Sequence, residues 1–499
     1  MSADVGFDPR DGTAAGSVAH TTIWELDAAV ARAENAAIQV ARTPPVRRRG
    51  WLYAIANALE EHASELVRIS DRETALGEAR LAGEVARTAG QLRFYGDVAS
   101  EGSYLGATID HTTAATSQLA KVNIPLGPVA VFGASNFPFA FSVMGNDTAS
   151  AIAAGCPVVV KAHPAHPLLS QKLARFAQHA LDDIDAPHGT FELVTGYDVG
   201  AALVRHRGIA AVAFTGSQAG GMALWRLANQ RETVIPVFAE MGTVNPVVVT
   251  PAARHAMKAI AAGFVASFTL GSGQYCTKPG LIFAPRGASA PALIAEALKE
   301  SAPEPLMLTE SIATSVRTGI THLQHAGATV VEQISASEAG WSAPAAILTA
   351  SLESIRSGSR LLAECFGPVA IVVEYDSAED VVVALAAMQG ALAASLFTGE
   401  NDDVDAATIL TALMPRVGRV VVNDWPTGVA YDWAQQHGGP WPATSNPAAT
   451  SVGAAALSRF LRPIAYQNVP ENLLPAPLTA ANPWRVPQRI DGTLQMKPA

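Results

Sequence analysis

Cys276 stands in SFTLGSGQYCTKPG (267–280), and Glu240 lies upstream in AEMGTVNP (239–246). A free cysteine is more often a small core residue. This one follows Gly271, Ser272, Gly273 and Gln274, which are poor core formers and let a ligand approach the backbone closely. A thiolate there is a nucleophile. Added to an aldehyde carbon it makes a tetrahedral alkoxide, which expels hydride far more readily than the free carbonyl does. The thioester left behind needs a water and a general base to release it. Glu240 ends the apolar run VIPVFAE. Desolvation there would raise its pKa and suit it to that role; a satisfied structural carboxylate is the other reading. Cys156 sits at a helix-to-strand junction and Cys365 beside Glu364, and both read as structural.

Asn136, in FGASNFPF (132–139), follows a strand. Its side-chain amide could hold the alkoxide, or it could simply form a turn before Phe137-Pro138. The segment Phe214-Thr215-Gly216-Ser217 joins a strand to a helix, whose first free amides suit a pyrophosphate. No GxGxxG accompanies it, so as a dinucleotide motif it is weak. Lys161 ends VVVK and could reach a ribose or phosphate, or only solvent. Glu364 and Phe366, in ECFGP (364–368), could meet a ribose or form a turn. No cysteine or histidine pattern indicates a metal.

These residues need elements to hold them. The 499 residues are 49% hydrophobic and 16% charged, a core-rich composition for about two domains. A net charge of −10 argues against nucleic acid as a partner. Three cysteines and no apolar leader fit a reducing cytoplasm. The most membrane-like stretch, 381–397, carries Gln389, Gly390 and Ser395 and reads as a buried helix running into a strand. Helical spacing covers 51–95, with a second helix at 77–96. Then β-branched runs alternate with helical patterns. Strands are expected at 128–133, 157–161, 190–195, 210–214 and 234–239, and helices at 140–154, 199–206 and 219–229. After Gly242 strands recur at 247–249, 280–284, 369–375, 395–398 and 419–422. This is α/β alternation around parallel sheets. Residues 468–499 hold six prolines and read as a tail extended over a surface.

In order along the chain, Asn136, Lys161, Phe214–Ser217, Glu240, Gly273–Cys276 and Glu364–Pro368 resemble the motifs of the NAD(P)-dependent aldehyde dehydrogenase superfamily. The segments 132–142, 145–167, 270–281, 437–445 (HGGPWPATS) and 450–467 are most similar to a subgroup that includes NADP-dependent α-ketoglutaric semialdehyde (2,5-dioxopentanoate) dehydrogenases. The resemblance implies an aldehyde dehydrogenase-like α/β fold. A Rossmann-type cofactor domain would take 1–112 and 127–241, and a catalytic domain 242–449. A small β oligomerisation element would take 113–126 and 450–480, ahead of a tail at 481–499. It implies a homodimer or homotetramer that oxidises an aldehyde through Cys276, Glu240 and Asn136. The cofactor would be held by Lys161, His163, Phe214, Thr215, Gly216, Ser217, Glu364 and Phe366.

NAD-preferring relatives carry an acid three positions after the lysine; here it is Pro164, which implies NADP over NAD. Two departures stand out: EMGTVNP where many relatives have ELGGKNP, and Ala134-Ser135 where many have Pro-Trp. A keto-semialdehyde is the expected substrate, with aliphatic or fatty aldehydes as the alternative. Arg459, Arg462 and Lys278 are candidate anchors for its carboxylate, and 423–432 is expected at the mouth of the site. The rivals are a CoA-acylating enzyme, a silent binding protein of the same fold, and a Cys–His hydrolase. No histidine lies near Cys276 in sequence to support the last.

Overall fold

The computed structural model describes residues 2–114, 116–399 and 403–496. A five-stranded parallel sheet runs in the order Phe191–Val194, Val158–Lys161, Val129–Phe132, Ala211–Gly216, Val237–Met241. The chain moves outward one way from Val129–Phe132 and then returns to add strands on the other side. The switch point therefore lies between Val129–Phe132 and Ala211–Gly216, where open α/β sheets bind ligands. Helices Pro45–Glu61, Glu78–Glu101, Asn146–Ala154 and Pro167–Asp182 pack on one face, and Ile23–Arg42, Tyr197–Arg205 and Gln218–Asn229 on the other. Fully buried side chains such as Leu52, Ile55, Leu59 and Phe139 stabilise this core by about 1.5–3 kcal/mol each.

A seven-stranded sheet follows, ordered Thr329–Ile334, Ala345–Ala350, Val369–Tyr375, Pro279–Pro285, Asn245–Val249, Ala391–Phe397, Val417–Val422. Only its first strand is antiparallel to its neighbour. A third sheet is ordered Leu461–Gln467, Leu119–Pro125, Ala107–Asp110, Gln488–Ile490, Thr493–Gln495.

The expected strands are present within a few residues. The stretch 381–397 is a helix, Ala378–Ala387, followed by the buried strand Ala391–Phe397. The expected helix at 140–154 begins only at Asn146. The helical region from 51 is three helices: a break at His62 separates Pro45–Glu61 from Ala63–Thr74, and Ala75, left-handed at φ 51°, ends the second. Sequence reading missed the N-terminal hairpin, Ala3–Phe7 with Ala14–Ala19, and the helix Ile23–Arg42. That helix is fixed by a capping box between Thr22 and Glu25. The tail is not merely draped: Gln488–Ile490 pairs in parallel with Ala107–Asp110 and extends the third sheet. The helical stretch Pro251–Gly273 is long and apolar enough to cross a membrane by length and composition. Its Ile260, Phe264 and Phe268 are packed in the core beside the seven-stranded sheet.

Candidate active site

The loop carrying Cys276 leaves helix Met257–Thr269 through three successive left-handed residues, Gly271, Ser272 and Gly273. Gln274, almost fully buried, pins it. Its Oε1 accepts from Leu308 N, and its Nε2 donates to the Gly271 and Leu306 carbonyls. Gly273 is required twice over, by a φ of 69° and because a Cβ would lie 2.3 Å from the Gly367 carbonyl carbon. The nucleophile loop thus rests on the Glu364–Pro368 segment. Asn245 of TVNP ties it to the second sheet, donating to the Cys276 and Lys278 carbonyls and accepting from Ala393 N.

Glu240 sits on the edge strand of the first sheet, and residues 443–445 cover that edge. Met241 N donates to Ala443 O at 2.8 Å, and Ala239 N to Ser445 Oγ at 2.8 Å. This pairing delivers His437, from the same segment, to Cys276. His437 Nε2 lies 3.1 Å from Glu240 Oε2 and 3.7 Å from Cys276 Sγ. The ligand atoms of Cys276, His437 and Glu240 all fall within 4.8 Å of one another. Backbone bonds between 437 and 450–451 hold the imidazole, and Ser451 Oγ donates to Glu240 Oε2 at 3.1 Å. Glu240 Oε1 has no hydrogen-bond partner.

Protonation follows from these contacts. Burial raises the Cys276 pKa well above the usual thiol range, and the adjacent Glu240 raises it further, so the resting group is a thiol. Burial alone would also raise Glu240. His437, Ser451 and Cys276 outweigh it and hold the carboxyl below its usual value. This corrects the sequence expectation of a raised Glu240. Without knowledge of His437, only desolvation was visible.

Asn136 follows strand Val129–Phe132 and is buried, with Nδ2 donating to Gln274 O at 2.8 Å, two residues before the nucleophile. Its loop is held by helix Glu78–Glu101: Glu84 Oε1 accepts from Phe139 N and Ala140 N, and Arg80 donates to Asn136 O.

On the cofactor side, Ser217 caps helix Gln218–Asn229, accepting from Gly220 N, so its hydroxyl is engaged in the fold. Phe214, Thr215 and Gly216 complete the strand beneath it. A cleft of about 680 Å3 opens there, lined by Gln218, Gly242, Arg360, Glu364 and Arg416. A Cβ at Gly242 would lie 2.2 Å from Glu364 Oε2, so only glycine lets that carboxylate reach the cleft. Burial lifts Glu364 to about 7, with Lys278 opposing and Glu240 adding to the rise. Phe366 is half-buried two residues on. Lys161 is buried at the strand end; its side-chain amine makes no hydrogen bond among the described residues, and burial lowers its pKa. His163 is held well below its usual pKa by burial, and its Nδ1 accepts from Ala165 N. It is therefore a neutral donor.

The anchors considered for a substrate carboxylate are elsewhere. Lys278 Nζ donates to the Cys365 and Val369 carbonyls; Arg459 pairs with Asp147 at 2.8 Å; Arg462 is exposed on the outer strand of the third sheet. Trp425 packs on Phe264 and Phe397 in the core, whereas Val429 and Tyr431 of the same segment do join the Phe137–Phe141 cluster. Cys156 is fully buried, bonds Phe460 O and is pushed up to about 11, in keeping with a structural thiol. The absence of a neighbouring histidine in sequence does not hold in space, since His437 supplies one.

A family model described as the aldehyde dehydrogenase family matches residues 6–441. The α-ketoglutaric semialdehyde dehydrogenase 2 of Azospirillum brasilense is 44% identical over 90% of this chain and 88% of its own. The α-ketoglutaric semialdehyde dehydrogenase of Acinetobacter baylyi is 39% identical over 95% and 92%. Among solved structures, an NAD+ complex of aldehyde dehydrogenase from Bacillus cereus superposes with a TM-score of 0.80, at 21% identity, over 93% of each chain. A cysteine beside a carboxylate and an imidazole would by itself suit a hydrolase as well. The match along the chain decides between them, and the protein belongs to the aldehyde dehydrogenase family, NAD(P)-dependent oxidoreductases acting on aldehydes.

Proposed function

We propose that this enzyme oxidises α-ketoglutaric semialdehyde to 2-oxoglutarate. The names of its two relatives at 44% and 39% identity support the substrate. The observation that carries the chemistry is Cys276 Sγ lying 3.7 Å from an imidazole that is itself bonded to Glu240.

Cys276 gives its proton to Glu240, which passes it to solvent, and the sulfur adds to the aldehyde carbon. The alkoxide is held by the Asn136 side-chain amide and the Cys276 backbone N–H. A bound NAD(P) would supply the acceptor for the hydride that the alkoxide expels. Glu240, kept ionised by His437 and Ser451, takes a proton from water, which attacks the thioester. The acid leaves and the thiol is restored. A base fixed at this position argues against acyl transfer to CoA, so no CoA should be consumed. Cys276→Ala should lower the rate about 10⁴-fold or more; measurable turnover near wild type would end the reading. Among aldehydes, 2,5-dioxopentanoate should show the highest kcat/KM, and a long aliphatic aldehyde outrunning it would replace the substrate.

The residues fit a dinucleotide. Lys161 and Glu364 would hold the riboses, the amides at the start of helix Gln218–Asn229 the pyrophosphate, and Phe214, Phe366 and neutral His163 the flanks. Pro164 supports NADP, because no carboxylate stands there to repel a 2′-phosphate. One observation favours NAD instead. Asp4 of the N-terminal hairpin accepts from Gly196 N at 3.1 Å, pairs with His20 at 3.0 Å, and is close enough to Lys161 to offset part of the fall in pKa that burial imposes. Comparing kcat/KM for NADP and NAD, in wild type and Asp4→Asn, separates the two. The division of labour that fits is 1–112 with 127–241 for the cofactor, 242–449 for catalysis, and 113–126 with 450–480 for self-association. The third sheet leaves Leu461–Gln467 as an edge open to a second copy, giving a homodimer or homotetramer in the cytoplasm.

A further inference from the structure

Helix Glu78–Glu101 presents Arg80, Glu84 and Arg87 on one stripe, facing the loops that carry Asn136 and Cys276. The Arg80 guanidinium lies 5.4 Å from the Phe137 ring and 5.3 Å from the Tyr275 ring; these rings adjoin Asn136 and Cys276. Arg87 lies 5.5, 5.9 and 5.2 Å from Phe137, Phe141 and Tyr431. Phe141 in turn lies against His437, with ring centroids 6.5 Å apart. The two guanidiniums share the Phe137 ring, beside Asn136, and Arg80 also meets the Tyr275 ring, beside Cys276.

Neither arginine has an ion pair among the described residues. Each donates to a backbone carbonyl, Arg80 to Asn136 O and Arg87 to Val429 O, both at 2.8 Å. A guanidinium has five N–H donors, so each keeps several free. The nearest carboxyl, Glu84, uses Oε1 on two backbone amides, has no partner at Oε2, and is raised by burial. It does not neutralise both cations. The Tyr431 hydroxyl lies near Arg87 without an aligned hydrogen bond. Arg419, the other arginine near Cys276, donates to the Pro426 and Gly428 carbonyls and holds their loop.

We infer that Arg80 and Arg87 form the recognition site for a carboxylate on the substrate end remote from the aldehyde, which rests on the semialdehyde reading above. Planar guanidiniums bind carboxylates by paired, charge-assisted hydrogen bonds, and the flanking rings dehydrate that contact. The substrate this requires is short: a five-carbon chain separates its terminal carbons by roughly 5 Å when extended. A long aliphatic aldehyde would instead bury two cations against hydrocarbon, which is unfavourable.

The test is a ratio: kcat/KM for 2,5-dioxopentanoate over that for pentanal, in wild type, Arg80→Met, Arg87→Met and Arg87→Lys. Using a ratio cancels damage to folding or to Asn136. The Met variants should lower it on the order of 30–100-fold, mainly through KM of the acid, with partial recovery in Arg87→Lys. A ratio unmoved by both Met variants overturns the assignment and leaves the semialdehyde reading standing. A wild-type ratio near one removes the semialdehyde reading itself.

Discussion

Two glutamates within electrostatic reach of each other, one buried and one half-buried, are driven in opposite directions. Glu240, on the acyl side, is held below its usual pKa because His437 and Ser451 contact the carboxylate. Glu364, on the cofactor side, is lifted to about 7 because only Lys278 opposes its burial, from behind, while Glu240 adds negative charge. Both are desolvated, so burial alone does not set the charge of a carboxyl. The partners decide it, and unlike partners give two like residues separate tasks.

Breaking the acyl side should have the largest effect. Glu240→Gln removes the water-activating base while leaving the thiol, so a burst of reduced cofactor should precede turnover slowed by about 10²–10⁴-fold. A variant that turns over without a burst phase would move the base elsewhere. His437→Phe tests why Glu240 is ionised. Without the imidazole, desolvation is left to dominate and the carboxyl pKa rises, so the acid limb of the kcat profile should shift to higher pH. The rate at neutrality should fall about 10–100-fold. An unmoved limb would uncouple the pair.

Glu364 should show smaller effects. Its ionised form accepts hydrogen bonds from ribose hydroxyls better than the neutral form. Dinucleotide affinity should therefore strengthen as pH rises through about 7 and lose that dependence in Glu364→Gln, a change of about tenfold or less measurable by fluorescence quenching. The same group gives a stability signature. Its folded pKa lies above the usual 4.5, so the folded chain binds the proton more tightly than the unfolded one. Stability from this group therefore declines as pH rises from about 4.5 to 7. Above pH 7, Glu364→Gln should be more resistant to urea than wild type by about 1–3 kcal/mol. The opposite order would mean that Lys278 is an adequate partner.

Much of this was legible along the chain. Strands such as Val129–Phe132 and Val158–Lys161 are short β-branched runs bounded by glycine or proline, a local signal. Cys276, Glu240, Asn136 and Glu364 announced themselves by residue type in unsuitable surroundings for a core. Other features left little trace. The helix Ile23–Arg42 buries a face of alanines broken by Leu26, Val30 and Val40, a weak periodic signal. His437 lay within a segment already noted for its resemblance, but nothing local to HGGPWPATS connects it to Cys276. Arg80 and Arg87 fall within the expected helix 77–96, and nothing local to it connects them to Cys276.

The sequence by itself determined the alternation of elements, the candidates for nucleophile and base, and the small residues before Cys276 that let a ligand approach the backbone. Those are statements about residue types and their immediate backbone, and local chemistry is enough to make them. Only the tertiary structure decided the protonation of Glu240, the neutrality of His163, the internal engagement of Lys278 and Arg459, and the meeting of His437 with Cys276. Each of these depends on which groups from distant segments lie within a few ångströms, and Coulomb and desolvation energies respond to distance in space, not to separation along the chain.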